Sequence, residues 1–174
     1  ILDLAKMEAG SMDWEMSEVD AGEAIEEALV AMSSLMADKS IALDLKLPDN
    51  LPHVFADRDR LIQVVVNLLS NAVKFCSGPE PVVKIAVEAD GDTLLVRVAD
   101  NGPGVPDGVE EMIFEKFQQV GNTLTSKPRG TGLGLPISRQ IVEHFGGKIW
   151  FEKAAEGADF RFTLPFTRGF QIAE

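Results

Sequence analysis

The sequence predicts an α/β fold in which the helices are segregated on one face of a mixed β-sheet. Residues 21–37 and 61–75 place apolar side chains three and four residues apart, as amphipathic helices do. Residues 82–89 and 94–99 alternate in the manner of half-buried strands. A third observation is the stretch from 100 to 130, rich in Gly, Pro and polar residues, which is typical of a functional loop or lid.

The remaining elements can be placed in chain order. A first helix is expected to stop at Gly10, because glycine commonly follows a helix end. Asp57 can cap the N-terminus of the helix that contains residues 61–75. The other expected elements are a helix at 1–9, an extended stretch around 12–16, strands at 41–47 and 53–56, a helix at 133–145 and strands at 148–152 and 159–165.

Composition narrows the class of protein. The chain has 174 residues, enough for one domain with a core and a short appendage. Its 28 acidic and 16 basic residues give a net charge of −12, which disfavours nucleic acid and anionic membrane surfaces as partners. Cys76 is the single cysteine, and no apolar run reaches the ~20 residues of a membrane span. We therefore expect a reducing, cytoplasmic location.

The helix at 61–75, which reads LIQVVVNLLSNAVKF, carries one polar stripe on an otherwise apolar surface. The stripe spans an arc of roughly 100° and consists of Gln63, Asn67, Ser70, Asn71 and Lys74. Asn is a poor helix former, so two asparagines one turn apart suggest that their carboxamides meet a ligand. An amide oxygen suits Mg²⁺. On this helix alone, amides that hydrogen-bond to neighbouring backbone are an equally good interpretation.

A carboxylate follows a predicted strand directly in the motif DNGPG, which begins at Asp100. Gly102 and Gly104 leave the backbone bare, so that a flat ligand can lie against it. If that ligand is adenine, Asp100 accepts a hydrogen bond from the exocyclic amine, whereas guanine presents a carbonyl oxygen there. A simple turn is the alternative interpretation, since these are turn residues.

A second glycine motif, GTGLGL at 130–135, leads into the helix at 133–145. Glycines before a helix N-terminus expose backbone N–H groups, and the helix dipole favours an anion there. Lys127 and Arg129 add positive charge beside the motif. It is not a Walker A loop, because no Lys-Ser or Lys-Thr closes it, and Leu135 stands where a dinucleotide motif has its third glycine.

In this order and spacing the motifs resemble those of histidine kinase catalytic domains in the GHKL ATP-binding superfamily. The matching segments are residues 61–75 for the N box, 100–104 for the first glycine box, 113–117 with Gln118 for the F box and 130–135 for the second glycine box. The resemblance covers nearly the whole chain. It implies an α/β sandwich, with a five-stranded mixed sheet under three helices and a flexible ATP lid before Gly130.

The resemblance also implies roles for single residues. The catalytic residues would be Asn67, Lys74 and Arg129, with Asn67 as the ligand of Mg²⁺. Phe75 would pack near adenine, and Phe114 and Phe117 would anchor the lid in the core. The residues expected to hold ATP are Asn71, Phe75, Asp100, Gly102, Gly104, Lys127, Gly130, Thr131, Gly132, Leu133 and Gly134.

Residues 1–10 resemble the end of the second helix of a dimerisation and acceptor domain, and residues 11–174 would form the catalytic ATP-binding domain. Since Ile1 already lies in a helical pattern, we expect a fragment, whose parent protein can be membrane-anchored. The only histidines, His53 and His144, lack an acceptor motif and are interpreted as structural. The fragment alone is therefore not expected to phosphorylate itself. Cys76, where many relatives carry Thr, is expected to be a small buried hydrophobe.

Gln63 indicates which activity to expect. Hydrolysing members of the superfamily activate water with a Glu four residues before the N-box Asn. Gln63 stands at that position here, and its amide cannot take a proton at neutral pH. This favours phosphoryl transfer in a two-component system. The acceptor would be a histidine on the homodimeric acceptor domain of the parent, and a response regulator would be the further partner. A regulatory nucleotide-binding module and a Ser/Thr kinase of the same superfamily are the alternatives.

Overall fold

The fold is seen in a computed structural model, which describes residues 2–118 and 131–166. Its elements lie within a few residues of the predicted ones. In chain order they are α1 (Leu2–Glu8), β1 (Met16–Val19), α2 (Ala21–Asp38), β2 (Ala42–Lys46), β3 (Val54–Asp57), α3 (Arg58–Phe75), β4 (Val82–Asp90), β5 (Thr93–Asp100), a 3₁₀ turn (Met112–Phe114), α4 (Gly134–His144), β6 (Ile149–Lys153) and β7 (Ala158–Pro165).

Five strands form the main sheet, in the order β2-β4-β5-β7-β6. β2 pairs in parallel with β4, and the other neighbours are antiparallel. Helices α3 and α4 pack on one face of the sheet, and α2 packs against α3. This arrangement confirms the predicted α/β sandwich of a five-stranded mixed sheet and three helices.

The core lies between the helices and the inner face of the sheet. Alternation in β5 buries Leu94, Val96 and Val98 toward the helices, while Thr93, Leu95 and Arg97 lie on the other face. The apolar side of α3 meets this face with Leu61, Val64, Val65, Leu68, Leu69, Ala72 and Val73, all buried. Burying a side chain of this kind contributes roughly 1.5–3 kcal/mol, so α3 is the main helical support of the sheet.

Asp57 caps α3, as predicted, because its Oδ1 accepts a hydrogen bond from the backbone N–H of Arg60 at 3.2 Å. Its Oδ2 accepts a second one, at 3.0 Å, from the backbone N–H of Glu15.

β1 and β3 form a separate two-stranded antiparallel sheet. The extended stretch expected around residues 12–16 is displaced, since the strand begins only at Met16. Its position depends on pairing with distant β3, which local sequence does not reveal.

α1 and the segment that follows it lie against the rest of the fold. Leu4 is buried, Asp3 pairs with Arg60 at 3.1 Å, and Glu8 pairs with Lys116. The ring of Trp14 stacks on that of His144, with 3.8 Å between centroids. None of the helices within residues 2–118 and 131–166 is long and apolar enough to cross a membrane.

The two phenylalanines of the F box differ. Phe114 is buried, with 6% exposure, which agrees with its expected place in the core. Phe117 is 68% exposed, so the expectation that it anchors the lid in the core is wrong. It has a φ of +60°, and its backbone N–H donates to the carbonyl oxygen of Gly132 at 2.9 Å. The backbone of Phe117 is therefore held against the second glycine motif while its ring faces solvent.

Candidate functional site

The polar stripe of α3 meets the first turns of α4 at Asn67. Asn67 Nδ2 donates to the carbonyl oxygen of Gly134 at 3.3 Å and to Ser138 Oγ at 3.2 Å. Its Oδ1 accepts no hydrogen bond from the described residues 2–118 and 131–166. The interpretation that amides of the stripe hydrogen-bond to the protein is therefore confirmed for this residue, and its role as a ligand of Mg²⁺ stays a prediction. Ser138 was missed by the sequence analysis.

At the N-terminal end of the stripe, Gln63 Oε1 accepts a hydrogen bond from Arg60 Nη1 at 2.8 Å. The same nitrogen contacts Asp3 of α1. The side-chain oxygen of Gln63 is therefore engaged by a cation. This adds to the chemical reason why position 63 cannot act as a general base.

The C-terminal end of the stripe brings three predicted ATP-site residues toward the first glycine motif. Asn71 is half-buried and Lys74 is exposed. Lys74 Nζ lies 5.0 Å from the centroid of the Phe75 ring, within the range of a cation–π contact. Phe75 keeps 43% of its surface exposed, which leaves ring area free to meet a flat ligand.

Asp100 ends β5 as a buried carboxylate, with 7% exposure. Its Oδ1 accepts a hydrogen bond from the backbone N–H of Gly102 at 2.8 Å, and the backbone of Ala158 supplies another. Burial raises the pKa of Asp100, and these two hydrogen bonds only partly oppose the increase. The structure thus confirms a turn at this motif. The turn also holds the Asp100 carboxylate in a fixed orientation where little water reaches it.

Three glycines are required here because the backbone segments approach closely. A Cβ on Gly102 would lie 2.1 Å from the carbonyl oxygen of Phe75, and one on Gly104 would lie 2.7 Å from that of Gly157. A Cβ on Gly157 would lie 1.7 Å from the carbonyl oxygen of Asp100. Gly157 was also missed by the sequence analysis, because a single glycine in a hairpin turn carries no signal of a distant contact.

Cys76 follows α3 and lies near the Asp100 carboxylate. It is half-buried, so the expected role of a small, fully buried hydrophobe holds only in part. Burial raises the pKa of the Cys76 thiol, and the negative charge of Asp100 raises it further. The thiol form is therefore favoured, which makes this cysteine a weak nucleophile.

The second glycine motif forms the N-terminus of α4. Thr131 Oγ1 accepts a hydrogen bond from the backbone N–H of Leu133 at 3.3 Å, and the Leu133 side chain is buried. Gly132 has a φ of +68°, which favours glycine. No side chain in the described part of the protein caps α4 at Leu133. Its first N–H groups are therefore suited to an anion.

Some predicted residues lie outside the described residues. These are Lys127, Arg129 and Gly130, together with the proposed lid, and their roles stay predictions. Within residues 2–118 and 131–166, no group of three or more His, Cys, Asp and Glu side chains could hold a metal ion.

Comparison with known proteins places this geometry in a family. The profile of the histidine kinase-, DNA gyrase B- and HSP90-like ATPases matches residues 56–168. Among curated proteins, the adaptive-response sensory kinase SasA of Prochlorococcus marinus (strain MIT 9313) is 36% identical over 164 residues. The match covers 91% of this chain and 44% of SasA. The chain spans less than half the length of the curated relatives it matches.

Solved structures agree with the sequence comparison. Full-length ShkA in complex with AMPPNP has a TM-score of 0.82 and 30% identity, covering 97% of this chain and 35% of ShkA. The nucleotide-free catalytic domain of the histidine kinase ThkA has a TM-score of 0.75 and 34% identity, covering 87% of this chain and 96% of that domain. ThkA bound to the response regulator protein TrrA also matches, with a TM-score of 0.76, 30% identity and coverage of 95% and 47%.

Proposed function

Because this chain belongs to the histidine kinase-, DNA gyrase B- and HSP90-like ATPase family, as a histidine kinase ATPase domain of two-component systems, we propose that it binds Mg²⁺·ATP and transfers the γ-phosphoryl group to a histidine. The histidine would lie on a dimerisation and acceptor domain of the parent protein. ATP binding is general to this family, and phosphoryl transfer is the general role of its histidine kinases.

The observation that carries the proposal is the meeting of α3 and α4 at Asn67. A carboxamide held by its nitrogen presents its oxygen beside a helix N-terminus that no described side chain caps. Asp100 supplies a buried carboxylate at the other end of the stripe. A nucleotide triphosphate matches these chemistries, because it carries an amine-bearing base at one end and anionic phosphates at the other.

Each chain group has a distinct task in this proposal. Asp100 accepts a hydrogen bond from the exocyclic amine of adenine, and Phe75 covers a face of the base. The N–H groups of α4 bind phosphate oxygens, with Lys74, Lys127 and Arg129 as further cations. Asn71 contacts phosphate or ribose. Bound Mg²⁺, held by Asn67 Oδ1, would supply positive charge that offsets the charge developing on the phosphates.

The transfer step needs an acceptor from outside this chain. The bond between the γ-phosphorus and the bridging oxygen of ADP breaks, and a bond forms between that phosphorus and an unprotonated imidazole nitrogen. Catalysis by this domain would consist of positioning and electrostatic stabilisation. The match to ThkA bound to a response regulator protein supports a partner of the same kind here.

We also propose that residues 1–10 are the end of an acceptor-domain helix and residues 11–174 the catalytic domain. Within residues 2–118 and 131–166, α1 contributes one buried side chain, Leu4, and forms two partly exposed ion pairs. Partly exposed pairs of this kind are worth at most about 1 kcal/mol each. α1 therefore resembles a docked appendage more than a part of the core.

Radiolabelled ATP tests the proposal. The protein is incubated with ATP alone and with a separately made dimeric acceptor domain from its parent protein. The protein alone should neither label itself nor hydrolyse ATP quickly. The acceptor domain should become labelled slowly, because separate pieces lack the effective concentration that a covalent linker provides. The label should be acid-labile and base-stable, and Asn67→Ala should remove most of it.

The other outcomes favour the two alternatives. An acid-stable label would point to a Ser/Thr kinase. Absence of label, despite measured ATP binding and a folded acceptor domain, would favour a regulatory nucleotide-binding module.

A further inference from the structure

Arg139 lies in the second turn of α4 and contacts the F box, residues 113–117. Its guanidinium carbon lies 5.6 Å from the centroid of the Phe114 ring, within the range of a cation–π contact. Arg139 also forms ion pairs with Glu111 at 3.6 Å and with Glu143 at 3.1 Å. Both carboxylates are exposed, so these pairs contribute little to stability. The Phe114 contact, by contrast, joins Arg139 to a buried part of the chain.

The Phe114 ring connects the F box to both layers of the fold. It is buried, and it meets the ring of Phe160 in β7 edge to face, with 6.3 Å between centroids. Phe160 belongs to the sheet, whereas Arg139 belongs to α4. The F box is therefore attached to α4 at Arg139, more than one turn beyond the N-terminus of the helix.

A second attachment lies just before α4. The backbone N–H of Phe117 donates to the carbonyl oxygen of Gly132 at 2.9 Å. A Cβ on Gly132 would lie 2.9 Å from Phe117 Cα, so the two backbones are in close contact. The Phe117 ring is exposed, and burial of that side chain therefore does not fix the contact. The position of the Phe117 backbone depends instead on the residues before it, of which Ile113 and Phe114 are buried.

The two attachments form a closed path of contacts. The path runs from Arg139 through Phe114 to Phe117, and it returns through Gly132 to the N-terminus of α4. The F box thus spans the first turn of the helix from outside. The backbone N–H groups of that turn are the ones proposed above to bind phosphate. Groups that are already held in place bind a ligand more tightly, because less ordering is needed when the ligand arrives.

We infer that Arg139 is a positioning residue, which holds the second glycine motif in its phosphate-binding conformation through Phe114 and the F box. This inference rests on the proposed function. Arg139 does not touch the nucleotide in this account. The alternative is a solvated arginine whose i, i+4 pair with Glu143 only adds slightly to the stability of the helix.

The test compares the affinity of the protein for ATP with its affinity for adenosine, which lacks phosphates. Calorimetry measures ATP binding, and NMR titration measures the weaker binding of adenosine. Arg139→Met should weaken ATP binding about threefold, the effect of a partly exposed cation–π contact. Adenosine binding should stay near the wild-type value. Met is unbranched and a good helix former, so this variant should fold.

The loss of a positive charge also weakens attraction to the phosphates of ATP through space, and a double-mutant cycle separates this effect. Phe114→Leu removes the ring but no charge. In that background Arg139→Met should not weaken ATP binding further, whereas an effect of charge through space would persist. The melting temperatures of the variants show that they are folded.

Arg58→Met is a matched control for the lost charge. Arg58 pairs with Glu27, and its side chain is 43% exposed, compared with 41% for Arg139. Arg58→Met should bind ATP as the wild-type protein does.

The backbone amide of Phe117 gives a readout without nucleotide. If Arg139 holds the F box, the hydrogen bond from Phe117 to Gly132 should open more often in Arg139→Met. Hydrogen exchange of this amide, followed by NMR, should therefore be faster than in the wild-type protein and in Arg58→Met.

Each outcome bears on the inference. Additive effects of Arg139→Met and Phe114→Leu on ATP binding overturn it, and so does an equal loss in Arg58→Met. Equal losses of affinity for ATP and adenosine overturn it as well, because the effect is then not on the phosphate site. Unchanged ATP affinity or unchanged exchange of the Phe117 amide in Arg139→Met contradicts the positioning step directly. In all these cases the proposed function stands if the wild-type protein binds ATP more tightly than adenosine. Equal affinity of the wild-type protein for the two overturns the proposed phosphate site itself, and the role of Arg139 falls with it.

Discussion

Arg60 donates a 2.8 Å hydrogen bond to the side-chain oxygen of Gln63, three residues later in α3. The same guanidinium nitrogen lies 3.1 Å from Asp3 Oδ2 in α1. Arg60 therefore joins α1 to position 63, at which the resemblance described above predicts a catalytic Glu in hydrolysing members of the superfamily. This arrangement matters for any attempt to turn the domain into an ATPase.

We predict that Gln63→Glu alone hydrolyses ATP no faster than the wild-type protein. Arg60 would form an ion pair with the new carboxylate and lower its pKa, which weakens it as a base. The double variant Arg60→Met with Gln63→Glu removes that cation and should release phosphate faster. Steady-state phosphate release measures the rates, with Arg60→Met alone as the control. A single variant as fast as the double one would contradict this account.

Asp100→Asn should weaken ATP binding tenfold or more, since a charge-assisted hydrogen bond is worth about 1.5–3 kcal/mol. The wild-type protein should prefer ATP to GTP clearly, because guanine presents a carbonyl where the carboxylate needs a donor. Titration calorimetry with both nucleotides measures the preference. Equal affinity for the two nucleotides would refute the adenine role of Asp100.

The raised pKa of Asp100 predicts a pH dependence of binding. ATP affinity should fall as the pH decreases through this pKa, above the range of an exposed Asp, because only the carboxylate accepts the hydrogen bond without a competing proton. Asp100→Asn should lack this dependence. Affinity measured across the acidic range tests it, and parallel profiles for the two proteins would count against it.

The raised pKa of Asp100 also affects the free energy of unfolding of the protein. Because the native state binds the proton more tightly than the unfolded chain, the Asp100 carboxylate lowers the free energy of unfolding above its native pKa. Asp159 acts oppositely: burial raises its pKa, but hydrogen bonds from Arg161 and Arg97 outweigh burial and lower it. The stability from Asp159 is lost as pH falls through that lowered pKa. Because Asp100→Asn removes the destabilising carboxylate, this variant should melt at or above the wild-type temperature at neutral pH. It should nevertheless bind ATP more weakly.

Gly157→Ala should lower ATP affinity, because the new Cβ would lie 1.7 Å from the Asp100 carbonyl oxygen and must displace the end of β5. Gly108→Ala is a matched control, since its φ is also positive, at +85°, but its Cβ would meet nothing within 4 Å. Both variants should lose some stability from backbone strain. Calorimetry should find weaker ATP binding only in Gly157→Ala. Similar affinities for the two folded variants would exclude a supporting role for Gly157.

The lid is a further prediction, on residues outside the described part of the chain. Residues 120–129, which read VGNTLTSKPR, have few apolar side chains to hold them in place. A non-hydrolysable ATP analogue should slow their backbone amide exchange, because bound phosphates would order Lys127 and Arg129. Mass spectrometry of exchange by peptide measures this. If a saturating concentration of the analogue leaves the amide exchange of residues 120–129 unchanged, this segment does not close over the nucleotide.

Much of the fold follows from local sequence. The period of α3, the cap at Asp57 and the alternation in β5 are properties of adjacent residues, and the structure confirms all three. Phe117 was placed wrongly because the resemblance assigned the same role in the core to both phenylalanines of the F box. The Phe117 ring is exposed while its backbone contacts Gly132, and sequence pattern does not reveal such a distant contact.

Local sequence likewise revealed some residues of the candidate site and missed others. Asn67 and Asp100 stood out because an amide in a buried helix and a carboxylate at a strand end conflict with their local setting. Ser138 and Gly157 did not stand out, since a small residue is unremarkable in a helix or a turn. Each acquires its role through a residue far away in the chain, Asn67 for Ser138 and Asp100 for Gly157. Such contacts require the tertiary structure.

The parallel pairing of β2 with β4 also predicts an order of folding. Aligning Ala42 with Val82 closes a loop that contains β3 and all of α3, whereas β4 with β5, and β6 with β7, are hairpins of neighbouring strands. Closing a long loop loses more chain entropy before contacts compensate for it, so the hairpins form early and β2 joins late. All five residues of β2 are exposed. We therefore expect β2, which comes first in the chain among the five strands of the main sheet, to be the last of them to pair and the first to open when the native protein frays.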